Sequence, residues 1–377
     1  MNAVDELLTR GVTNILPTKK GLADLISQRK IKLYQGFDPT GKLHLGHAIG
    51  LRKLMQFANL GHEVIFLFGT GTVLVGDPTQ RATKRKQFSE SEIEKHILDW
   101  KKQTAPIVDF NKVKILKNGD WLNNLTIKDF INISSNISAI QLFKREMFQS
   151  RLAKGETVWY HETMYPLLQG YDSVVMDVDL EIGGTDQEFN MLIGRELQKK
   201  LNKKEKYVMT LKMIVGTDGK QMSKSSGNCI WLDDKAYDMF GKLMSIPDEQ
   251  IGPYLETLTE LPLEIMTKEG PLTVKKKLAY DIVSQIHGEK NAKEAKSKFE
   301  KTFQQKKPIY ETKIQFEKNL AQTITPYTSL ASISDAKRYI SQGAVDVNGK
   351  TITDPTYQPK VGDKIKIGTT TFGTVKN

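Results

Sequence analysis

Residues 31–68 limit the possible folds of this chain more than any other stretch. Ile31-Lys32-Leu33-Tyr34-Gln35-Gly36-Phe37-Asp38 has the pattern of a short strand and runs into turn chemistry at Asp38-Pro39-Thr40-Gly41. From His47 to Leu60 apolar residues recur at helical spacing, at Ile49, Leu51, Leu54, Met55 and Ala58, and Gly61 closes the helix. Val64-Ile65-Phe66-Leu67-Phe68 is then an unbroken apolar run, as suits a parallel strand buried on both faces. Strand, turn, helix and strand in this order form a βαβ unit, which calls for a parallel sheet covered by helices. Further strands are expected at 113–116 and 173–178, and helices at 90–103, 127–143 and 185–201. Residues 1–218 therefore read as an α/β domain with a Rossmann-like, doubly wound parallel sheet.

The pattern changes after this domain. Residues 219–324 read as a mobile loop followed by an α-helical domain that grows more basic. From Lys268 to Lys318 there are 13 lysines against 7 acids, set among Leu278, Ile282, Ile286, Ala292, Ala295 and Phe299 at helical spacing. Thr325-Pro326 marks a boundary, and residues 325–377 read as a small α+β domain. Within it a short helix is expected over Ser334–Gln342. Val345-Asp346-Val347-Asn348-Gly349-Lys350 carries the Asn-Gly signal of a hairpin, and another strand is expected at 364–367.

Composition narrows the partners. A chain of 377 residues with 55 Lys+Arg against 44 Asp+Glu, net +11, is suited to polyanions such as nucleotides and nucleic acid. Its one cysteine, Cys229, excludes an intramolecular disulfide framework and a zinc site built from several thiolates. The first thirty residues mix charges among apolar positions, and no apolar run is long enough to span a bilayer. A cytoplasmic protein without a membrane partner is expected.

Two motifs carry chemistry. The first is Asp38-Pro39-Thr40-Gly41-Lys42-Leu43-His44-Leu45-Gly46-His47, between strand and helix. A helix N-terminus exposes unpaired N–H groups and partial positive charge, so phosphates settle there, and Gly46 permits close backbone approach. His44 and His47 share one side of the first turn and offer donors to phosphate oxygens. A polar helix start with an incidental His pair is the alternative. The second motif is Gln221-Met222-Ser223-Lys224-Ser225-Ser226-Gly227-Asn228, a small-residue loop able to deliver an ammonium to a polyphosphate. Taken alone it also fits a solvated connection, and it is not a Walker A loop.

Together, H-x-G-H after the first strand and M-S-K-S after the sheet resemble the paired signatures of class I aminoacyl-tRNA synthetases. Tyr34-Gln35-Gly36-Phe37-Asp38-Pro39-Thr40, Gly76-Asp77-Pro78-Thr79, Tyr165-Pro166-Leu167-Leu168-Gln169-Gly170-Tyr171-Asp172 and Gly183-Gly184-Thr185-Asp186-Gln187 follow in order. All four are similar to motifs of bacterial tyrosyl-tRNA synthetases, and Ser334–Asp354 resembles an S4-type RNA-binding domain. The resemblance implies activation of L-tyrosine by ATP and transfer to tRNA(Tyr), with Mg2+ arriving on ATP and no dedicated metal site. It also implies a homodimer, with Ile131–Met147 as a candidate interface, and helices after residue 268 that follow the tRNA backbone. It makes the helical region an anticodon-binding domain.

The resemblance also distributes roles. Thr40 and His44 contact the departing phosphates, His47 lies by the adenylate, and Lys224 clasps pyrophosphate with help from Arg81 and Arg85. Gly36, Asp38, Gly46, Gly183 and Asp186, with Met222, Ser223 and Ser225 of the loop, complete the ATP site. Tyr34 and Asp172 hold the phenolic hydroxyl, Asp77, Tyr165 and Gln169 the α-amino group, and Gln187 the carboxylate side. Gln35 and Phe189 adjoin the pocket without an assigned role. Buried polar groups left unpaired by phenylalanine make an editing domain unnecessary, a rule for which tyrosyl enzymes are themselves the standard illustration. Gln221 replaces the first lysine of the family's K-M-S-K-S, with Lys220 adjacent. The rivals are a tryptophanyl enzyme, an adenylyl transferase of coenzyme synthesis and a non-catalytic RNA-binding homologue. Tyr34 with Asp172, the S4-like tail, and intact His44, His47, Asp77 and Lys224 stand against them.

Overall fold

The computed structural model describes residues 3–39, 42–76, 89–223, 226–304, 310, 312–328, 331–368 and 371–376. The chain forms two compact units. One comprises Met1–Met222, Trp231–Asp233 and Asp248–Lys268, and the other Ser223–Ile230, Asp234–Pro247 and Glu269–Asn377.

The first unit is built on a six-stranded sheet: β1 (Val12–Leu16), β2 (Lys32–Phe37), β3 (Glu63–Phe68), β4 (Val113–Lys117), β5 (Leu180–Gly184) and β6 (Tyr207–Leu211). Its order is β1-β6-β5-β2-β3-β4. Five strands run parallel, and β1 joins β6 antiparallel at the edge. Val64–Phe68 is buried throughout, as the unbroken apolar run requires. The helix Leu45–Asn59 buries Leu45, Ala48, Ile49, Leu51, Leu54, Met55 and Ala58, one stripe at helical spacing. The sheet grows from β2 toward β3 and β4 on one side and toward β5 and β6 on the other. Its direction therefore reverses between β2 and β5, where Leu33 pairs with Leu180 and Tyr34 with Glu181. Ligands of open α/β sheets bind beyond the strand ends at such a reversal.

Two sequence expectations are corrected. Residues 173–178 are not a strand: the helix Tyr160–Met176 runs through Pro166 and ends where Asp177 turns left-handed at φ 48°, and the strand follows at Leu180–Gly184. A short apolar run in a helix's last turn looks like a strand when periodicity is the only guide. The helix expected over 127–143 is two, Ile127–Ser134 and Ala139–Phe143, because Ser138 caps the second by accepting from the Gln141 N–H.

In the second unit the helices Ala236–Ser245, Pro271–His287 and Glu289–Phe299 bury Phe240, Leu278, Ile282 and Ala292, with the Phe240 and Phe299 rings 5.4 Å apart. A second sheet follows, from β7 (Thr312–Gln315), β8 (Val345–Val347), β9 (Lys350–Thr351), β10 (Lys364–Ile367) and β11 (Thr371–Lys376), in the order β7-β11-β10-β8-β9. Asn348 and Gly349 take φ 51° and 81°, the pair of positive values that a two-residue primed turn needs. With the helix Ile333–Ser341 the sheet encloses Ile314, Leu320, Ile340, Val345, Ile365 and Val375. β7 pairs in parallel with β11, so this core starts at Thr312.

Candidate active site

The first turn of the helix Leu45–Asn59 is organised by the two histidines. His44 is its N-cap: its Nδ1 accepts the Gly46 N–H at 3.2 Å, and His47 Nδ1 accepts the His44 N–H at 3.2 Å. His47 Nδ1 also lies 3.3 Å from the His44 carbonyl oxygen, so the tautomer decides which of these two contacts its ring makes. The ring centroids are 4.0 Å apart, and His47 meets Trp100 edge-on at 6.0 Å. A Cβ on Gly46 would come within 2.9 Å of the His44 ring, so this turn requires glycine. Main-chain pairing anchors the turn, through a bridge between His44 and Trp231 and a 2.8 Å bond from Leu232 N–H to Leu43 O. Gly36, near the end of β2, is exposed, and an added Cβ there would meet nothing within 4 Å.

A polar cluster lies at the sheet reversal. The helix Tyr160–Met176 places Tyr165, Gln169, Asp172 and Ser173 on one face, at spacings of three and four. Asp172 is buried and accepts from Asn118 Nδ2 at 3.1 Å and Trp121 Nε1 at 2.8 Å. Burial pushes its carboxyl up to about 8, outweighing these two donors, with Glu181 raising it further and Lys206 lowering it. Tyr34 is fully buried, and its hydroxyl lies 2.9 Å from Ser173 Oγ. Burial, then Glu181 and Asp172, raises its pKa well above the ordinary phenol value, so it stays neutral. Gln169 donates to Glu181 at 3.1 Å and accepts from Asn190 at 2.9 Å, and Asn190 donates to Gln187 at 3.1 Å. Gln187 in turn donates to Asp186 at 3.0 Å, so one chain of hydrogen bonds runs from Asp186 to Tyr34.

The structure thus brings together Tyr34, Gln169, Asp172 and Gln187 of the expected amino-acid pocket, with Tyr165 buried on the same helix face. Asp38 follows β2, and its carboxylate lies beside Gly69. A Cβ on Gly183 would press on Met191 at 3.0 Å, so close packing accounts for that glycine. Gln35 packs against Gly50, and Phe189 against the cluster of Ile133, Leu167 and Ile193. Met222 is buried and Ser223 exposed. Buried Asn228 gathers the second motif by accepting from Ser223 N at 3.0 Å and Ser226 Oγ at 2.6 Å. Thr40, Asp77, Arg81, Arg85, Lys224 and Ser225 lie outside the described residues. Asn118, Trp121, Ser173, Glu181 and Lys206 carry no sequence signal beyond their nearness to a motif or a strand end, and Asn228 stands in the second motif without an assigned role. Among the described residues no group of three or more His, Cys, Asp or Glu is placed to hold a metal ion, and no helix is long and apolar enough to cross a membrane.

Comparison with known proteins identifies the family of the chain. Residues 26–304 match the family described as tRNA synthetases class I (W and Y), and residues 328–365 match the S4 domain. The chain is 38% identical to the tyrosine--tRNA ligase of Thermotoga maritima over 365 residues, covering 93% of this chain and 90% of that one. It is 38% identical to the tyrosine--tRNA ligase of Carboxydothermus hydrogenoformans, covering 97% and 96%. The fold is shared with a C-terminally truncated Aspergillus nidulans mitochondrial tyrosyl-tRNA synthetase, with TM-score 0.68, 23% identity and coverage of 80% of this chain and 94% of that one. It is also shared with the Archaeoglobus fulgidus tyrosyl-tRNA synthetase complexed with L-tyrosine, with TM-score 0.63, 20% identity and coverage of 78% and 100%. This chain therefore belongs to the class I aminoacyl-tRNA synthetases of the tryptophanyl and tyrosyl type and, within them, to the tyrosine--tRNA ligase family, with an S4 domain near its C-terminal end.

Proposed function

We propose that this enzyme joins L-tyrosine to ATP, releasing pyrophosphate, and then passes the tyrosyl group to the 3′-terminal ribose of tRNA(Tyr). The observation that carries the amino-acid assignment is the buried pair of Tyr34 and Asp172 at the sheet reversal, a hydroxyl and a carboxyl held ready for a phenol. In the first step a tyrosine carboxylate oxygen forms a bond to the α-phosphorus while the bond to pyrophosphate breaks. No protein nucleophile is needed, so positioning and charge stabilisation supply the catalysis. His44 and His47 offer ring donors for this task at the helix N-terminus, and Thr40, Lys224, Arg81 and Arg85 join them on the phosphates. Gly36, Asp38, Gly46, Gly183, Asp186, Met222, Ser223 and Ser225 complete the ATP site in this reading, and Asp77, Tyr165, Gln169 and Gln187 hold the amino acid's polar end. Mg2+ enters with ATP.

In the same reading residues 1–218 form the catalytic domain, followed by the loop and anticodon-binding helices, and the RNA-binding domain begins at Thr312 rather than at 325, because β7 and Leu320–Ile324 belong to its core; the enzyme works in the cytoplasm. It acts as a homodimer. Support comes from Ile127, Ile131 and Ile140, which are 81%, 60% and 74% exposed, an unusual density of open aliphatic surface. Sedimentation at micromolar concentration is expected to give twice the chain mass; a single chain mass contradicts this.

Asp172→Asn tests the phenol pocket. In equilibrium titration above about pH 8, where the Asp172 carboxyl is ionised, the variant is expected to lose most of its preference for tyrosine over phenylalanine, because a carboxylate acceptor at the hydroxyl is replaced. Unchanged selectivity would mean that Asp172 does not read the hydroxyl. Stability supplies a second readout. The unfolded carboxyl ionises near its ordinary 3.8, whereas the folded one keeps its proton until about 8. Folding therefore takes up a proton between these values, and stability falls across that window by up to about 1.4 kcal/mol per pH unit. Asparagine removes this dependence, so urea midpoints at pH 5 and pH 8 are expected to shift in the variant's favour as pH rises.

A further inference from the structure

Asn190 touches two of the residues assigned to the amino acid's polar end, Gln169 and Gln187. It is the third residue of the helix Glu188–Leu201 and is fully buried. Its Nδ2 donates to Gln169 Oε1 at 2.9 Å and to Gln187 Oε1 at 3.1 Å, which uses both hydrogens of the amide. Its Oδ1 accepts no hydrogen bond among the described residues. A buried carbonyl without a donor costs stability, so the fold by itself gains little from an amide here.

Two acids fix which way each amide faces. The oxygen and nitrogen of a glutamine are told apart by their partners. Gln169 Nε2 donates to Glu181 at 3.1 Å, and Glu181 is the buried carboxylate that pairs with Lys206. Gln187 Nε2 donates to the Asp186 carboxylate at 3.0 Å. Carboxylates only accept, so both glutamine nitrogens turn to the acids and both oxygens turn to Asn190. Asn190 must then present its nitrogen, because an oxygen there would face two oxygens. Gln169 Oε1 has two lone pairs and gives one to Asn190. The other is an acceptor on a half-buried side chain, the kind of group an ammonium needs. Removing the Asn190 donor lets the Gln169 amide turn about its last torsion.

We propose that Asn190 is a positioning residue that holds the Gln169 amide with its oxygen toward the ammonium of the substrate. This rests on the tyrosine reading, in which Gln169 takes the α-amino group. Gln187 is the second anchor, which keeps the Asn190 nitrogen on this side. Asn190 meets no reacting atom, so its effect on the ammonium passes through Gln169.

Two phenols that differ only in the amine isolate this contact: tyramine carries an ammonium at neutral pH and 4-ethylphenol does not. Competition against L-tyrosine on the full-length protein gives the dissociation constant of each. The ratio of the 4-ethylphenol value to the tyramine value reads what the ammonium contributes, and the wild type is expected to hold tyramine the more tightly. Asn190→Leu keeps the branched shape and removes both donors. The ratio is then expected to fall about tenfold, the scale of one hydrogen bond to a charged group, with 4-ethylphenol itself held within about twofold. Asn190→Ala is expected to lower the ratio in the same direction and serves if the leucine variant does not fold. In a Gln169→Ala background, Asn190→Leu is expected to leave the ratio where Gln169→Ala has put it, because both residues act on one contact. An unmoved ratio, equal weakening of both phenols, or a further fall in the Gln169→Ala background overturns the proposal. If the wild type does not bind L-tyrosine, the tyrosine reading fails and takes this proposal with it. If it binds L-tyrosine and the ratio does not move, this proposal alone fails.

Discussion

Lys224→Ala is expected to slow tyrosine-dependent ATP–pyrophosphate exchange by about 10²–10³-fold, the usual cost of removing one preorganised charge from a phosphate transition state. The dissociation constant for tyrosine is expected to stay within about twofold, because in the proposed mechanism the ammonium strengthens its contact only as charge gathers on the departing pyrophosphate. The loss falls on kcat more than on KM. Equal weakening of ground-state ATP or tyrosine binding in equilibrium titration would remove Lys224 from this role. Gln221 sharpens the test: with the first lysine of the family signature replaced, Lys224 is the one cation remaining at the two lysine positions of the signature, and its loss should be felt in full.

Deletion of residues 310–377 is expected to reduce tyrosyl transfer to tRNA by roughly a hundredfold or more while leaving pyrophosphate exchange within about threefold. The cut precedes β7, because β7 pairs with β11 and belongs to the C-terminal sheet. A cut at Pro326 would leave Ile314, Leu320 and Ile324 of that core without their partners. In the proposed mechanism exchange depends on the first unit and the loop motif, whereas transfer also needs the tRNA held along its backbone. A parallel loss of both activities would mean that the C-terminal sheet supports adenylate formation and is not a separate RNA-binding part.

Local pattern made the βαβ unit readable. The strand at Lys32–Phe37, the helix Leu45–Asn59 and the strand at Glu63–Phe68 each carry their own period and stop signal, and Asn348-Gly349 announces its hairpin. The strand at Val12–Leu16 escaped notice because only its antiparallel pairing with β6 makes it a sheet edge. Residues 173–178 misled because Val174, Val175 and Met176 are apolar on both periods, and only tertiary packing decides. The motifs pointed to the first ring of side chains. The groups behind them are set by long-range geometry: Asn118 and Trp121 reach Asp172 from the segment after β4, and Lys206 reaches Ser173 from the start of β6. A lysine before a strand gives no local sign that its ammonium will be buried.

The central claim is that the Tyr34–Asp172 pocket and the His44 turn together activate one particular amino acid. The most direct measurement is ATP–pyrophosphate exchange by the purified protein with each of the twenty amino acids in turn. The account predicts rapid exchange with tyrosine and background rates with phenylalanine and tryptophan. Exchange driven by tryptophan, or by no amino acid at all, would contradict it.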